Sequence, residues 1–267
     1  MITVNDIYKY LKSIAPLEMA NESDNVGFLV GTEASKVSKV LVSLDITDAV
    51  VSEALEMKAE LIVAHHPMFF SLRTVTDTDI VGKKIVRLLA GGISAICMHT
   101  NLDAANGGVN DALAVTVGIS GKNRDAGPLS DVVRLATGEI VSLGRVGYLE
   151  NACPIPEYLE KLKKALKVNG IRYYDAGRPV HKVAIASGSG GGEWENVVIS
   201  GCDTFVSADL KYNIFLEAKE YGINIIDGGH FCTENVIVDV LVKKIKSEFP
   251  EINVYASKAL DQTIEFY

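Results

Sequence analysis

The sequence predicts an α/β protein of two halves, each with a mainly parallel central sheet, and a dinuclear metal site at strand carboxyl ends between them. Three observations carry that expectation. Short apolar, β-branched runs alternate with amphipathic stretches early and late in the chain, the pattern of strands joined by crossover helices. Those runs end in polar segments rich in His, Asp and Gly, and open α/β sheets build their sites at strand carboxyl ends. A length of 267 residues suits one large α/β unit or two smaller ones, at about 150 residues per domain.

The elements follow in order. Residues 3–14 read as a helix: Thr3 and Asp6 form a capping-box pattern, and Ile7, Leu11 and Ile14 recur at helical spacing. Pro16 marks its end. Residues 37–46 form an apolar, β-branched run suited to a strand covered on both faces. Thr47 caps a helix carrying Val50, Val51, Ala54 and Leu55. Residues 61–64 are the second strand, leading into His65-His66-Pro67. Residues 80–90 are helical, and Gly91-Gly92 ends them. Residues 93–98 are the third strand, leading into His99 and Asp103. The middle differs: strands at 132–136 and 144–149, a lysine-rich helix at 156–168 and a short strand at 172–174. The alternation returns with a strand at 181–187, glycines at 188 and 190–192, a helix near 193–199 and a strand at 204–207. A helix from about 208 to 221, a strand at 223–227 and a long helix opening at Gly228-Gly229-His230 complete the chain. The expected division is an N-terminal half at 1–125, a central connection at 126–180 and a C-terminal half at 181–267 completing the same core.

Composition narrows the function. Hydrophobic residues make up 48% and charged residues 22%, which excludes a disordered chain, a collagen and a coiled coil. A formal charge of −8 repels a phosphate backbone, so general nucleic-acid binding is disfavoured. A small anion held by metal ions stays compatible with that charge. Cys97, Cys153, Cys202 and Cys232 show no C-x-x-C spacing, so reduced, structural thiols are expected. The N-terminal residues lack a signal-peptide pattern, and no run approaches 18 apolar residues. The expectation is a soluble cytoplasmic protein.

The chemistry-bearing residues lie at strand ends and at one helix start. His65 and His66 are adjacent, and at a strand end their side chains can aim at two neighbouring points, which suits two metal ions. Loop histidines bonded to backbone carbonyls are the alternative. Asp103 follows the third strand with the same polarity, as a ligand or as a cap with Asn106. His230 and Glu234 are spaced i, i+4 on one helical face, as ligands or as a solvent-facing pair at a helix N-terminus. Three histidines and two carboxylates make five nitrogen and oxygen donors. That set suits zinc, iron, manganese or magnesium. Two divalent ions would leave net positive charge for a small anionic substrate. Asp45 at the first strand end is read either as a hydrogen-bond partner of a ligand histidine or as a helix-start carboxylate. His99 is read as a supporting partner or a satisfied loop histidine. The glycines at 188 and 190–192 match neither a Walker A nor a GxGxxG pattern. Either a phosphate held on backbone N–H groups or a tight turn fits them. Trp194, Lys211 and Tyr212 default to surface or packing roles.

The segments SLDITDAVVSEA, AELIVAHHPMFF, MHTNLDAANGGVNDALA, ASGSGGG, ADLKY and INIIDGGHFCTE together resemble the GTP cyclohydrolase 1 type 2 homolog family, also called NGG-one-interacting-factor-three-like. The resemblance runs over nearly the whole chain. It implies a dinuclear metal centre with His66 and Asp103 on one ion, His65 and His230 on the other, and Glu234 bridging. It implies a homohexamer built as a trimer of dimers, and a short central connection in place of a longer insert. Asn213 stands where the family often has histidine. The implied activity is hydrolysis by metal-activated water. For GTP that means attack at C8 of guanine and opening of the imidazole ring, with Asp45 or His99 shuttling the proton. The alternative is a metal-binding assembly without turnover, regulatory or serving metal storage or delivery.

Overall fold

The structure is a computed structural model describing residues 1–119, 127–129, 133–134 and 140–267. The chain divides into two compact units, Met1–Leu102 with Ile237–Asp261, and Asp103–Val236 with Gln262–Tyr267. This division departs from the expected boundaries. Position 125 lies outside the described residues, 180 falls inside the second unit, and the last long helix and strand belong to the first.

The first unit opens with the helix Val4–Ile14, and its capping box is formed: Asp6 N–H donates to Thr3 Oγ1 while Thr3 N–H donates to Asp6. Its sheet runs in the order Gly27–Val30, Ser94–Cys97, Leu61–Ala64, Lys39–Ser43, Asn253–Ala256. The last three joints are parallel and the first is antiparallel. Leu61–Ala64 and Ser94–Cys97 are buried at every position, as strands covered on both faces must be. The helices Asp48–Glu56 and Ile80–Ala90 are capped by Thr47 and Asp79. Val50, Val51, Ala54, Ile85 and Leu88 pack with Leu41 and Ile62 of the sheet into one core.

The second unit holds a six-stranded sheet in the order Gly127–Pro128, Arg145–Cys153, Val180–Ile185, Thr204–Ser207, Asn224–Asp227, Arg172–Tyr174. Only the two joints on either side of Thr204–Ser207 are parallel; the other three are antiparallel. The mainly parallel expectation therefore describes the first sheet and not the second. Burial gives the reason. Thr204–Ser207 and Asn224–Asp227 are wholly buried, whereas Arg145–Cys153 alternates buried and more exposed positions along its first half. A strand wetted on one face tolerates antiparallel pairing at a sheet margin. The strand expected at 132–136 is described at Val133–Arg134, paired with Ile140–Val141; residues 132, 135 and 136 lie outside the described residues.

Two helix starts shift. The helix expected from 208 begins at Tyr212, because Asp209 turns into the left-handed region at φ +50°, which a helix cannot accept. The helix opening at His230 is a short segment, His230–Glu234, followed by Val236–Glu248. Among the described residues no helix is long and apolar enough to cross a membrane.

Candidate metal centre

In the first unit three histidines converge beyond the ends of parallel strands. His65 and His66 follow Leu61–Ala64, and His99 follows Ser94–Cys97. Their ring centroids lie 5.0, 5.2 and 5.5 Å apart, and each offers a ring nitrogen within 4.8 Å of the others. The other nitrogens are committed. His65, fully buried, donates Nδ1–H to the Met98 carbonyl at 2.8 Å. His66 Nδ1 donates to Asp45 Oδ1 at 2.8 Å. His99 Nδ1 donates to the Asp24 carboxylate at 2.9 Å. A carbonyl or carboxylate can only accept, so each Nδ1 carries a proton, and in the neutral tautomer that fits this pattern Nε2 bears the lone pair. Burial pushes the Asp24 carboxyl up, but hydrogen bonds from His99 and Thr100 and the nearby His99 ring outweigh it and hold Asp24 well below the usual carboxylate range.

In the second unit Asp103 sits in the short helix Thr100–Ala104 and is nearly buried. Its Oδ1 accepts from Ser187 Oγ at 3.3 Å. Asn110 fixes this corner: its amide donates to the Asp103 and Leu143 carbonyls, and its oxygen accepts from Ser187 N–H. Arg145 donates Nη2–H to the carbonyls of Ala104 and Ala105, and its Nε–H to Asp111, which ties down the chain just after Asp103. A carboxylate oxygen of Asp103 lies within 4.8 Å of one from Glu234. His230 Nδ1 donates to Asp209 at 2.8 Å, and its Nε2 faces Glu234 Oε2 at 3.0 Å. With Nδ1–H spent on Asp209, a lone-pair nitrogen opposite a carboxylate oxygen calls for a positive species, a proton or a metal ion. Gly188, at φ +56°, presses against this pair, and a Cβ there would stand 1.9 Å from Glu234 Oε1. Its N–H donates to Thr233 Oγ1, and Gly190 N–H donates to the Gly188 carbonyl. Both amides are thus used within the fold, which favours the tight turn over the phosphate cradle at these two positions.

The sequence matches the Duf34/NIF3 (NGG1p interacting factor 3) family over residues 2–262. The chain belongs to the Duf34/NIF3 family. A Clostridium perfringens relative named GTP cyclohydrolase 1 type 2 homolog is 33% identical, covering 98% of this chain and 99% of its own length. A Bacillus subtilis relative of the same name is 25% identical over an alignment of 356 positions, longer than this chain, so that relative carries inserted sequence. Among solved structures, a Bacillus cereus protein related to NIF3 superposes with a TM-score of 0.91 at 22% identity, covering 100% of this chain and 99% of its own. Reduced HcgD from Methanocaldococcus jannaschii superposes at 0.78 with 26% identity, covering 96% and 97%.

Within this Duf34/NIF3 chain, Asp45 is hydrogen-bonded to the ring of His66, and His99 lies in the His65–His66 cluster with Asp24 as its own carboxylate partner. Asp103 lies in the short helix Thr100–Ala104 and its side chain accepts from Ser187 Oγ. Two site residues escaped the sequence reading, Asp24 and Asp209. Asp209 had a signal, since it is the second residue past the strand Thr204–Ser207. Asp24 had none, because it lies in a polar stretch before a strand that the hydrophobic pattern did not mark.

Proposed function

We propose that this chain is a dinuclear metal-dependent hydrolase acting on a nucleotide or a related phosphate-bearing compound. The two donor sets serve one centre in this reading, with His66 and Asp103 on one ion, His65 and His230 on the other, and Glu234 shared. The observation that carries the proposal is the state of the imidazoles. His65, His66 and His230 each spend Nδ1–H on an oxygen acceptor, the arrangement that orients metal-ligating histidines and raises their basicity. The donors are nitrogen and oxygen only, matching zinc, iron, manganese or magnesium.

When bound, such ions lower the pKa of water from 15.7 toward about 7 and so supply hydroxide at neutral pH. The chain's own residues do the rest. Met98, Asp45 and Asp209 hold the ligand rings in one tautomer. Asp45 and His99, beside the ligands, take up and return the proton. The names of the relatives point to GTP as the first substrate to try, and resemblance adds a homohexamer to the proposal.

Elemental analysis of protein purified without chelator tests the centre: two ions per chain are expected, and Glu234→Ala is expected to lose both. Two ions retained in that variant would overturn the bridging role. GTP incubated with each divalent metal and followed by ultraviolet absorbance and mass tests the substrate. No loss of GTP with any metal overturns the cyclohydrolase assignment and leaves metal binding without turnover ahead.

A further inference from the structure

The loop after His66 carries a side chain that metal binding does not explain. Met68 is buried in the first unit's core, and Phe69 is partly buried against the same core. The Phe69 carbonyl accepts from Asn25 Nδ2 at 2.7 Å. The backbone is thus pinned on the near side of Phe70, whose ring stands 66% exposed. That ring lies 6.3 Å from the His99 ring at an interplanar angle of 63°. His99 packs edge-on against both His65 and His66. An apolar ring therefore stands in water at the margin of the imidazole cluster, next to a backbone position held at Phe69.

We propose that Phe70 is the stacking platform for a planar heteroaromatic group of the substrate, a purine base in the nucleotide reading on which this inference rests. Aromatic side chains hold bases through their π-faces, tolerant of which base is present. A ring already anchored spends little ordering entropy on binding. Phe70 would then be a specificity-determining residue: it favours phosphate compounds bearing a flat ring over those bearing only a sugar. Leu72, Val75 and Ile80 are also exposed on the same stretch. A second copy of the chain is therefore the competing occupant of this surface, and the experiment separates the two.

The probes are guanosine 5′-monophosphate and ribose 5-phosphate, titrated calorimetrically into the metal-loaded full chain. Phe70→Ala is expected to weaken the nucleotide by about 10- to 100-fold, leave ribose 5-phosphate unchanged and keep the wild-type metal content. Phe70→Trp is expected to restore nucleotide binding. Wild-type affinity for the nucleotide in Phe70→Ala overturns the inference, and so does an equal loss for both probes. A changed sedimentation coefficient with nucleotide binding intact assigns the ring to subunit contact and overturns it too. Metal content and nucleotide binding of the wild type test the hydrolase reading separately, so failure there is recognisable before any variant is made.

Discussion

Gly188→Ala is the sharpest probe of the centre, because one methyl group meets the proposed bridging ligand and little else. The new Cβ would stand 1.9 Å from Glu234 Oε1, 2.8 Å from its Cδ and 3.1 Å from His230 Nε2. Residue 188 cannot easily yield. Its N–H donates to Thr233 Oγ1 at 3.1 Å, and its carbonyl accepts from Ala208 N–H at 3.0 Å and Gly190 N–H at 2.8 Å. The Glu234 carboxylate must therefore retreat by about 1 Å, and metal–ligand distances tolerate only about 0.2 Å. Alanine at φ +56° adds about 1–2 kcal/mol of backbone strain. For a chain of this size that lowers Tm by about 2–8 °C, at about 2–4 °C per kcal/mol. The expected outcome is a folded protein with a modestly lower melting temperature that fails to retain two ions through dialysis, read by elemental analysis alongside a thermal melt. Gly192→Ala is the control from the same glycine run: a Cβ there meets nothing within 4 Å, so metal content should be unchanged. Two ions held by Gly188→Ala as tightly as by the wild type would refute the placement of Glu234 in the centre.

Three further outcomes are expected. Asp209→Asn keeps a side chain that tolerates the left-handed backbone but removes the charge on His230 Nδ1, so metal affinity should fall about 10- to 100-fold; competition with a chromogenic chelator measures it, and unchanged affinity sinks the orienting role. Tyr158 is buried and donates its hydroxyl to the Val117 carbonyl at 2.9 Å; Tyr158→Phe leaves that acceptor bare and should cost about 1–3 kcal/mol, seen as a lower urea midpoint at constant slope. Asp24, depressed in the folded state by His99 and Thr100, stabilises the fold above the unfolded carboxyl pKa of about 3.9, and that contribution is lost as pH falls below it. Asp24→Asn should flatten the acid limb of stability measured by denaturant between pH 5 and 3, and an unaltered limb would exclude Asp24 as its source.

Elements with complete local instructions were legible in the sequence. The Thr3–Asp6 box, the Thr47 cap and the buried runs 61–64 and 204–207 each carry their own signal, and the structure places a helix or strand at each. What escaped depends on distant partners. Asn253–Ala256 is four residues long with alternating burial, and only pairing with Lys39–Ser43 makes it a strand. Gly27–Val30 takes its order from antiparallel pairing with Ser94–Cys97. The unit boundary was illegible for the same reason: the chain returns to the first sheet after residue 236, and nothing local in Val236–Glu248 announces which sheet that helix will serve.

The candidate site divides along the same line. His65, His66, Asp103, His230 and Glu234 could be picked out because strand ends and an i, i+4 spacing are properties of neighbouring residues. Their supports are contacts across 21 to 75 positions of chain, as in His66–Asp45, His230–Asp209 and His99–Asp24. Yet the supports decide what these side chains can offer. An imidazole whose Nδ1–H is given away can present only a lone pair at Nε2 while it stays neutral. In the second unit His230 Nε2 faces the buried Glu234 carboxylate at 3.0 Å, a contact that either a proton or a metal ion makes favourable. Asp209 accepts a left-handed backbone to reach its histidine, and Gly188 does so to let Glu234 pass. Lys58 and Lys167 also adopt positive φ elsewhere in the chain; what sets Asp209 and Gly188 apart is that each lies against the His230–Glu234 pair.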